Sequence, residues 1–479
     1  MKSFDYYLDK IGEIGYVEHV TKDVVGVSGL PSAKTEEVIF FESGQIGQVL
    51  FLHSDVVEVL LFDEAPVKSG TRAVRTGERL SIPVGKQYLG HLINPLCQPI
   101  SNVRLVSKSL ETRFLVVDPL GIQERTSVCK QLETGVILVD MLIPLGHGQR
   151  ELVIGDRKTG KTTFLLHTVI NQVKKGTICI WAAIGKKRGE IKEIEQYFIQ
   201  NRVMDKIIII ASSAEDATGL IYLTPYSAVS AAEYFKEQGQ NTLVVLDDLT
   251  IHAKFYRELS LLSKRFPGRE SYPVDVFFTH AALLERGGNF RHNGKTVSLT
   301  ILPIAETNEG DLSGYIQTNL MSMTDGHLYF DKELFSRGRR PAINPFLSVT
   351  RVGRQTQTSL YREVSQSLMS FLVEFQKASS FVHFGAELTI EVRELLARGE
   401  KIIDFFDHSS EMPIVINPAI FILCCLWQDF WKEELSVLRG KWDKIIKDYE
   451  TDKKFRDKID GMIEESKSFK ELLEKVKNF

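Results

Sequence analysis

One stretch of eight residues limits what this chain can fold into more than any other. Gly155-Asp156-Arg157-Lys158-Thr159-Gly160-Lys161-Thr162 fits the spacing G-x-x-x-x-G-K-[ST], with Thr163 directly behind it. The glycines let backbone N–H groups wrap a phosphate, the Lys161 ammonium adds charge at the β/γ-phosphates, and the Thr162 hydroxyl is a ligand for Mg2+. The apolar ELVI just before reads as a strand and TTFLLHTVI just after as a helix, so a helix N-terminus also faces the anion. Strand, loop and helix in that order call for an α/β body that binds a nucleotide such as ATP or ADP with Mg2+.

The rest of the chain supports that architecture. Short apolar runs at 152–154, 178–183, 207–211, 243–246, 276–278 and 297–302 alternate with helix-like stretches, the signature of a parallel sheet covered on both faces. The run Thr242-Leu243-Val244-Val245-Leu246 ends in Asp247 and Asp248. A strand that delivers an acid near a phosphate loop can hold the metal's water shell, and Asp247 is the candidate; Asp248 is expected to make structural hydrogen bonds. Ahead of this body, residues 11–82 alternate apolar and polar between turn residues, as in a small β-barrel. Beyond 358 the apolar spacing becomes three and four, with Gly440 and Gly461 expected to break the last helices. The expected organisation is thus a short extension (1–10), a β-barrel (11–82), a P-loop nucleotide-binding domain (83–357) and an α-helical domain (358–479).

Composition narrows the function. Lys+Arg 59 against Asp+Glu 62 leaves no basic surplus for nucleic acid or an anionic membrane. The longest unbroken apolar run, 419–427, is nine residues, where a bilayer needs about twenty. Five cysteines without C-x-x-C spacing suggest neither a metal nor a disulfide framework, and point to a reducing, cytoplasmic compartment. The opening MKSFDYYLDK does not read as a signal peptide.

The motif order GHGQRELVIGDRKTGKTT, AAIGKKR, VVLDDLTIHAKFYRELSLL, FPGRESYPVDVFFTHAALLER, LPIAETNEGDLSGYIQTNLMSMTDGHLYF and GRRPAINPFLSVTRVG resembles the α subunit of F-type ATP synthases, over most of the chain to about residue 426. The resemblance implies a β-barrel crown, a RecA-like nucleotide domain and a helical C-terminal domain. It also implies three α-type and three β-type subunits alternating in a ring around a rotating γ-type shaft, a peripheral stalk, and attachment to the cytoplasmic face of the cell membrane through partner subunits. In that family Leu347-Ser348-Val349-Thr350-Arg351 matches the segment that presents an arginine to the adjacent β-type site, so Arg351, with Ser348 shaping the interface, is the expected catalytic contribution. Arg340-Pro341 matches the pair that packs on the adenine. Glu306 matches an acid near the metal's water shell.

Several positions depart from the family pattern. Catalytic relatives place a Glu after the glycine where this chain has Gly185-Lys186; an ammonium cannot act as the base that activates water, and the α pattern itself has Gln there. Glu190 lies four residues on. Lys158 replaces a loop glutamine, and His408 and Ser410 stand where two glutamines usually line the purine pocket. Only about ten residues precede the expected barrel, where the family docks its stalk. The expectation is a nucleotide-binding but largely non-catalytic subunit of a rotary ATP synthase or ATPase. The alternative is an α-like subunit of a diverged ring that drives another mechanical task, such as motility or secretion. A self-sufficient homohexameric ATPase would need arginine and base in one chain. An RNA-translocating ring would need a basic front domain with exposed aromatics, which 11–82 does not show.

Overall fold

The computed structural model describes residues 3–63, 65–100, 111–382, 389–408 and 414–479. The chain divides into two compact units, one of residues 1–125, 177–306 and 313–323 and the other of 126–176, 307–312 and 324–479.

The first unit opens with a short helix, Phe4–Ile11, capped by the Ser3 hydroxyl. Six antiparallel strands follow: β1 (Ile14–Thr21), β2 (Val24–Ser28), β3 (Glu37–Phe41), β4 (Ile46–Leu52), β5 (Val57–Leu61) and β6 (Arg72–Arg79). They close in the order β1-β2-β5-β4-β3-β6, with β1 pairing β6. Closure removes the sheet edges. Val17, Val25, Val27, Ile39, Phe41, Val49, Val59 and Ala73 fill the interior. In the same unit, strands Leu92–Ile93, Ile207–Ser213, Ile178–Lys186, Thr242–Asp247 and Lys295–Thr307 lie side by side and parallel. The three middle strands are buried almost from end to end, the pattern of strands covered on both faces. Helices Arg188–Gln200, Thr218–Glu237 and Leu249–Leu262 follow three of them.

In the second unit, strand Glu151–Asp156 pairs in parallel with Gly326–Phe330, which pairs antiparallel with Val349–Thr350. Helix Lys161–Lys174 follows the first of these strands. Helices Ser359–Val382, Ile390–His408, Ile416–Trp427, Leu435–Thr451, Lys453–Glu465 and Phe469–Lys477 make up the C-terminal part. No helix among the described residues is long and apolar enough to cross a membrane.

Two sequence expectations need correction. The run 276–278 is the start of a helix, Val276–Leu284, and not a strand. Val276, His280, Leu283 and Leu284 are buried at helical spacing, while Phe278 is 74 % exposed. Three apolar residues alone do not distinguish the two periods. Gly440 and Gly461 lie inside helices Leu435–Thr451 and Lys453–Glu465. The break falls at Asp452, whose carboxylate accepts from Lys454 N and Phe455 N. A glycine costs a helix only about 1 kcal/mol, and burial of Leu438, Trp442 and Tyr449 offsets that in the first helix.

Candidate functional site

The phosphate-loop strand Glu151–Asp156 is buried along its whole length. At its end Gly155 adopts φ +158°, and a Cβ there would stand 2.3 Å from Phe330 O, so only glycine fits. Lys158 and Gly160 turn the chain through the left-handed region, at φ 62° and 96°. The helix then starts at Lys161. Its first N–H groups have no intrahelical acceptor, and its dipole is positive at that end. Lys161 Nζ lies 2.8 Å from Gly155 O and 2.5 Å from Asp156 O, and Thr159 Oγ1 donates to Asp156 O at 2.8 Å. Arg157, Lys158 and Thr163 are exposed and Thr162 half-buried. The Asp156 carboxylate faces its own unit, accepting from Thr307 Oγ1 at 2.5 Å and Gly310 N at 2.9 Å. Its side chain braces the loop.

Arg351 follows strand Val349–Thr350, is exposed, and donates its N–H to Asp325 O at 3.0 Å. Ser348 Oγ donates to Asn344 O (2.7 Å) and accepts from Tyr329 N (2.9 Å), tying this segment to strand Gly326–Phe330. Arg340 is exposed, with its guanidinium stacked 3.6 Å above the Phe335 ring and bonded to Phe335 O and Arg339 O. Beside it, Arg339 pairs with Asp407 at 2.8 Å. The side chain of His408 and the whole of Ser410 lie outside the described residues.

In the first unit, strand Ile178–Lys186 runs parallel to Thr242–Asp247 with Ala183 opposite Asp247. That register brings Lys186 Nζ to 2.6 Å from Asp247 Oδ1 and 3.6 Å from Asp248 Oδ2, with the lysine side chain 13 % exposed and the Asp247 side chain 2 %. Asp248 also caps helix Leu249–Leu262, accepting from Ile251 N at 2.7 Å. Burial pushes its carboxyl up to about 6 despite the lysine. The two acids hold the Lys186 ammonium well above its ordinary value, against the burial that would lower it. Glu306 is half-buried, its N–H given to Thr250 Oγ1 and its carbonyl accepting from Gln317. Glu190 is exposed in the first turn of helix Arg188–Gln200.

Comparison with known proteins identifies the family. The nucleotide-binding domain of the ATP synthase alpha/beta family matches residues 135–350, and the C-terminal domain of the ATP synthase alpha/beta chain matches 357–476. ATP synthase subunit alpha of Dictyoglomus turgidum is 42 % identical over 413 residues, 86 % of this chain and 80 % of that protein. The chain belongs to the α subunits of F-type ATP synthases. It is therefore a nucleotide-binding member of an ATP synthase assembly, a rotary enzyme that couples ATP chemistry to ion transport. Its architecture is that of the family: an N-terminal β-barrel, a central α/β nucleotide-binding domain with a parallel sheet, and a C-terminal helical domain.

Lys186 stands at the end of its strand where the resemblance implied Gln or, in catalytic relatives, Glu. Its partner was not visible in the sequence, because residues 186 and 247 meet only through strand pairing. Mg2+ takes oxygen donors at short, near-octahedral distances. The Thr162 hydroxyl in the second unit is a donor of that kind, and so is the Asp247 carboxylate in the first, where the Lys186 ammonium already holds Asp247 Oδ1. Sequence reasoning passed over Gln149 and Glu151, which lie beneath the Arg351 segment; the signal was an acid opening an otherwise apolar buried strand.

Proposed function

We propose that this chain is the largely non-catalytic, nucleotide-binding α-type subunit of an alternating α3β3 ring around a γ-type shaft, and that it supplies Arg351 to the catalytic site of the neighbouring β-type subunit. The observation that carries this reading is the pairing of Lys186 with Asp247 and Asp248 where a catalytic relative carries its base. A buried, paired ammonium cannot accept a proton from water. The exposed Arg351, on a backbone pinned to Asp325 O, fits a donor to a site on another chain. An arginine presented to the charge of phosphoryl transfer is worth about 10³–10⁵ in rate.

In this reading the chain's own ATP or ADP sits on Gly155, Asp156, Arg157, Lys158, Thr159, Gly160, Lys161, Thr162 and Thr163, with Arg340 and Pro341 toward the base. Thr162 and Asp247 would hold Mg2+, which neutralises phosphate charge when bound. Partner subunits, a peripheral stalk among them, keep the ring at the cytoplasmic face of the membrane. The second reading, a diverged ring serving motility or secretion, draws on the same Lys186 pair and on Lys158, His408 and Ser410.

Arg351→Ala in the assembled complex tests the proposal. ATPase activity is expected to fall by about 10³-fold or more, while nucleotide binding to the isolated chain stays unchanged. Near-normal activity would overturn it. Recovery of the native complex with proton-channel subunits favours the synthase over the second reading.

A further inference from the structure

Three strands of the second unit place Glu151, Gly326 and Thr350 in one row: Glu151 is opposite Gly326, and Gly326 is opposite Thr350. The middle residue has no side chain. A Cβ on Gly326 would stand 2.6 Å from Glu151 Oε2 and 2.2 Å from Val349 O, so the Glu151 carboxyl group reaches across the middle strand through space that only glycine leaves open. Glu151 Oε2 accepts from Gln149 Nε2 at 2.7 Å, and the same nitrogen lies 3.4 Å from Thr350 Oγ1. Gln149 is held in turn, its Oε1 accepting from Gly146 N at 2.8 Å. Thr350 Oγ1 donates to Pro144 O and accepts from Gly353 N, both at 3.0 Å. Each step of this chain is buried or half-buried, and it ends on the residue next to Arg351.

The charge around it has a direction. Glu151 and Gln149 are both 0 % exposed, and among the described residues Glu151 Oε1 has no hydrogen-bond partner. A buried acid with an unpaired oxygen costs stability that an apolar residue would not, so packing alone does not account for it. Asp325, the other acid nearby, is matched by Arg150, whose guanidinium grips both carboxylate oxygens at 2.7 and 3.1 Å and whose N–H adds a third bond. Burial raises the Glu151 carboxyl well above the usual range, the Gln149 bond opposes this, Asp325 adds to it and Arg351 pulls it back. Glu151 and Arg351 are thus within electrostatic reach of each other.

We propose that Glu151, acting through Gln149 and Thr350 across the gap at Gly326, is a positioning residue for Arg351. It fixes the strand from which the guanidinium reaches the neighbouring subunit's site. This rests on the reading of Arg351 given above.

The test is steady-state and single-turnover ATP hydrolysis by the assembled complex carrying Glu151→Ala, Glu151→Gln, Thr350→Val or Arg351→Ala, with Glu151→Ala also combined with Arg351→Ala. Misplacing a reacting group by about 1 Å costs up to about 10²-fold. Glu151→Ala and Thr350→Val are therefore expected to lower kcat about 10- to 100-fold with KM unchanged. Glu151→Gln keeps an acceptor for Gln149 and is expected to stay within about threefold of the parent. In the Arg351→Ala background Glu151→Ala should cost nothing further, because the group it positions is gone. Should Glu151→Ala fail to assemble, Thr350→Val decides. A parent-like kcat in Thr350→Val and Glu151→Ala, or the same loss with and without Arg351, overturns the inference. An active Arg351→Ala complex overturns instead the reading on which it rests.

Discussion

Replacing Lys186 by glutamine removes an ammonium from between two buried acids. Its Nζ lies 2.6 Å from Asp247 Oδ1 and 3.6 Å from Asp248 Oδ2, and those two aspartate side chains are 2 % and 1 % exposed. Removing one partner of a buried pair costs about 3–5 kcal/mol, because the remaining charge is left uncompensated. The lysine is 13 % exposed and retains some water, so the lower end, about 3 kcal/mol, applies. In hydrogen exchange that is a loss of about 10²-fold in protection at the amides of strand Thr242–Asp247, since about 1.4 kcal/mol is a factor of ten. Exchange suits this chain better than a melting curve, because a multidomain protein has no single unfolding free energy. Asp247→Asn supplies the control. Combined with Lys186→Gln it removes one of the two stranded charges, so the double variant should be more protected than Lys186→Gln alone. A cost under about 1 kcal/mol, the range of exposed ion pairs, or strictly additive losses in the double variant, would refute the buried-pair reasoning.

Two further outcomes follow from the second unit. Gly155→Ala would place a methyl group 2.3 Å from Phe330 O at φ +158°. Overpacking of this kind costs about 1–3 kcal/mol, and nucleotide binding measured by fluorescence titration is expected to be lost; parent-like affinity would show that the loop tolerates a wider turn. Asp140 accepts from Thr134 N, Thr134 Oγ1 and Gly135 N, yet burial pushes its carboxyl up to about 7 from 3.8. The folded chain therefore keeps a proton that the unfolded chain releases, and stability should fall as pH rises from about 4 through 7. Asp140→Asn should flatten that slope in hydrogen-exchange protection at the amides of residues 134–142, followed across pH and corrected for intrinsic exchange rates, and an unchanged slope would locate the titration elsewhere.

The fold was legible wherever the signal was local or periodic. The phosphate loop is contiguous and punctuated by glycines with fixed backbone tasks, so its strand, turn and helix could be read directly. The barrel showed as alternation and the C-terminal helices as spacings of three and four. Reading failed at 276–278, where three apolar residues suit either period, and at Gly440 and Gly461, where buried side chains outweigh a weak local penalty. The candidate site was legible in its types of residue but not in all of its contacts.

By itself, then, the sequence determined the chemistry available: a phosphate loop, an arginine at the end of a short strand, an acid at the end of a buried one, and a lysine where a base would act. Only the tertiary structure decided what those groups meet. Parallel register brings Lys186 onto Asp247, and a row across three strands joins Glu151 to Thr350 over Gly326. The physical reason is one of range. Turn and helix preferences act over a few residues and are written in consecutive letters, whereas a buried charge finds its partner through strand pairing between distant segments, and a shift of one residue in register would turn each of these side chains to the opposite face.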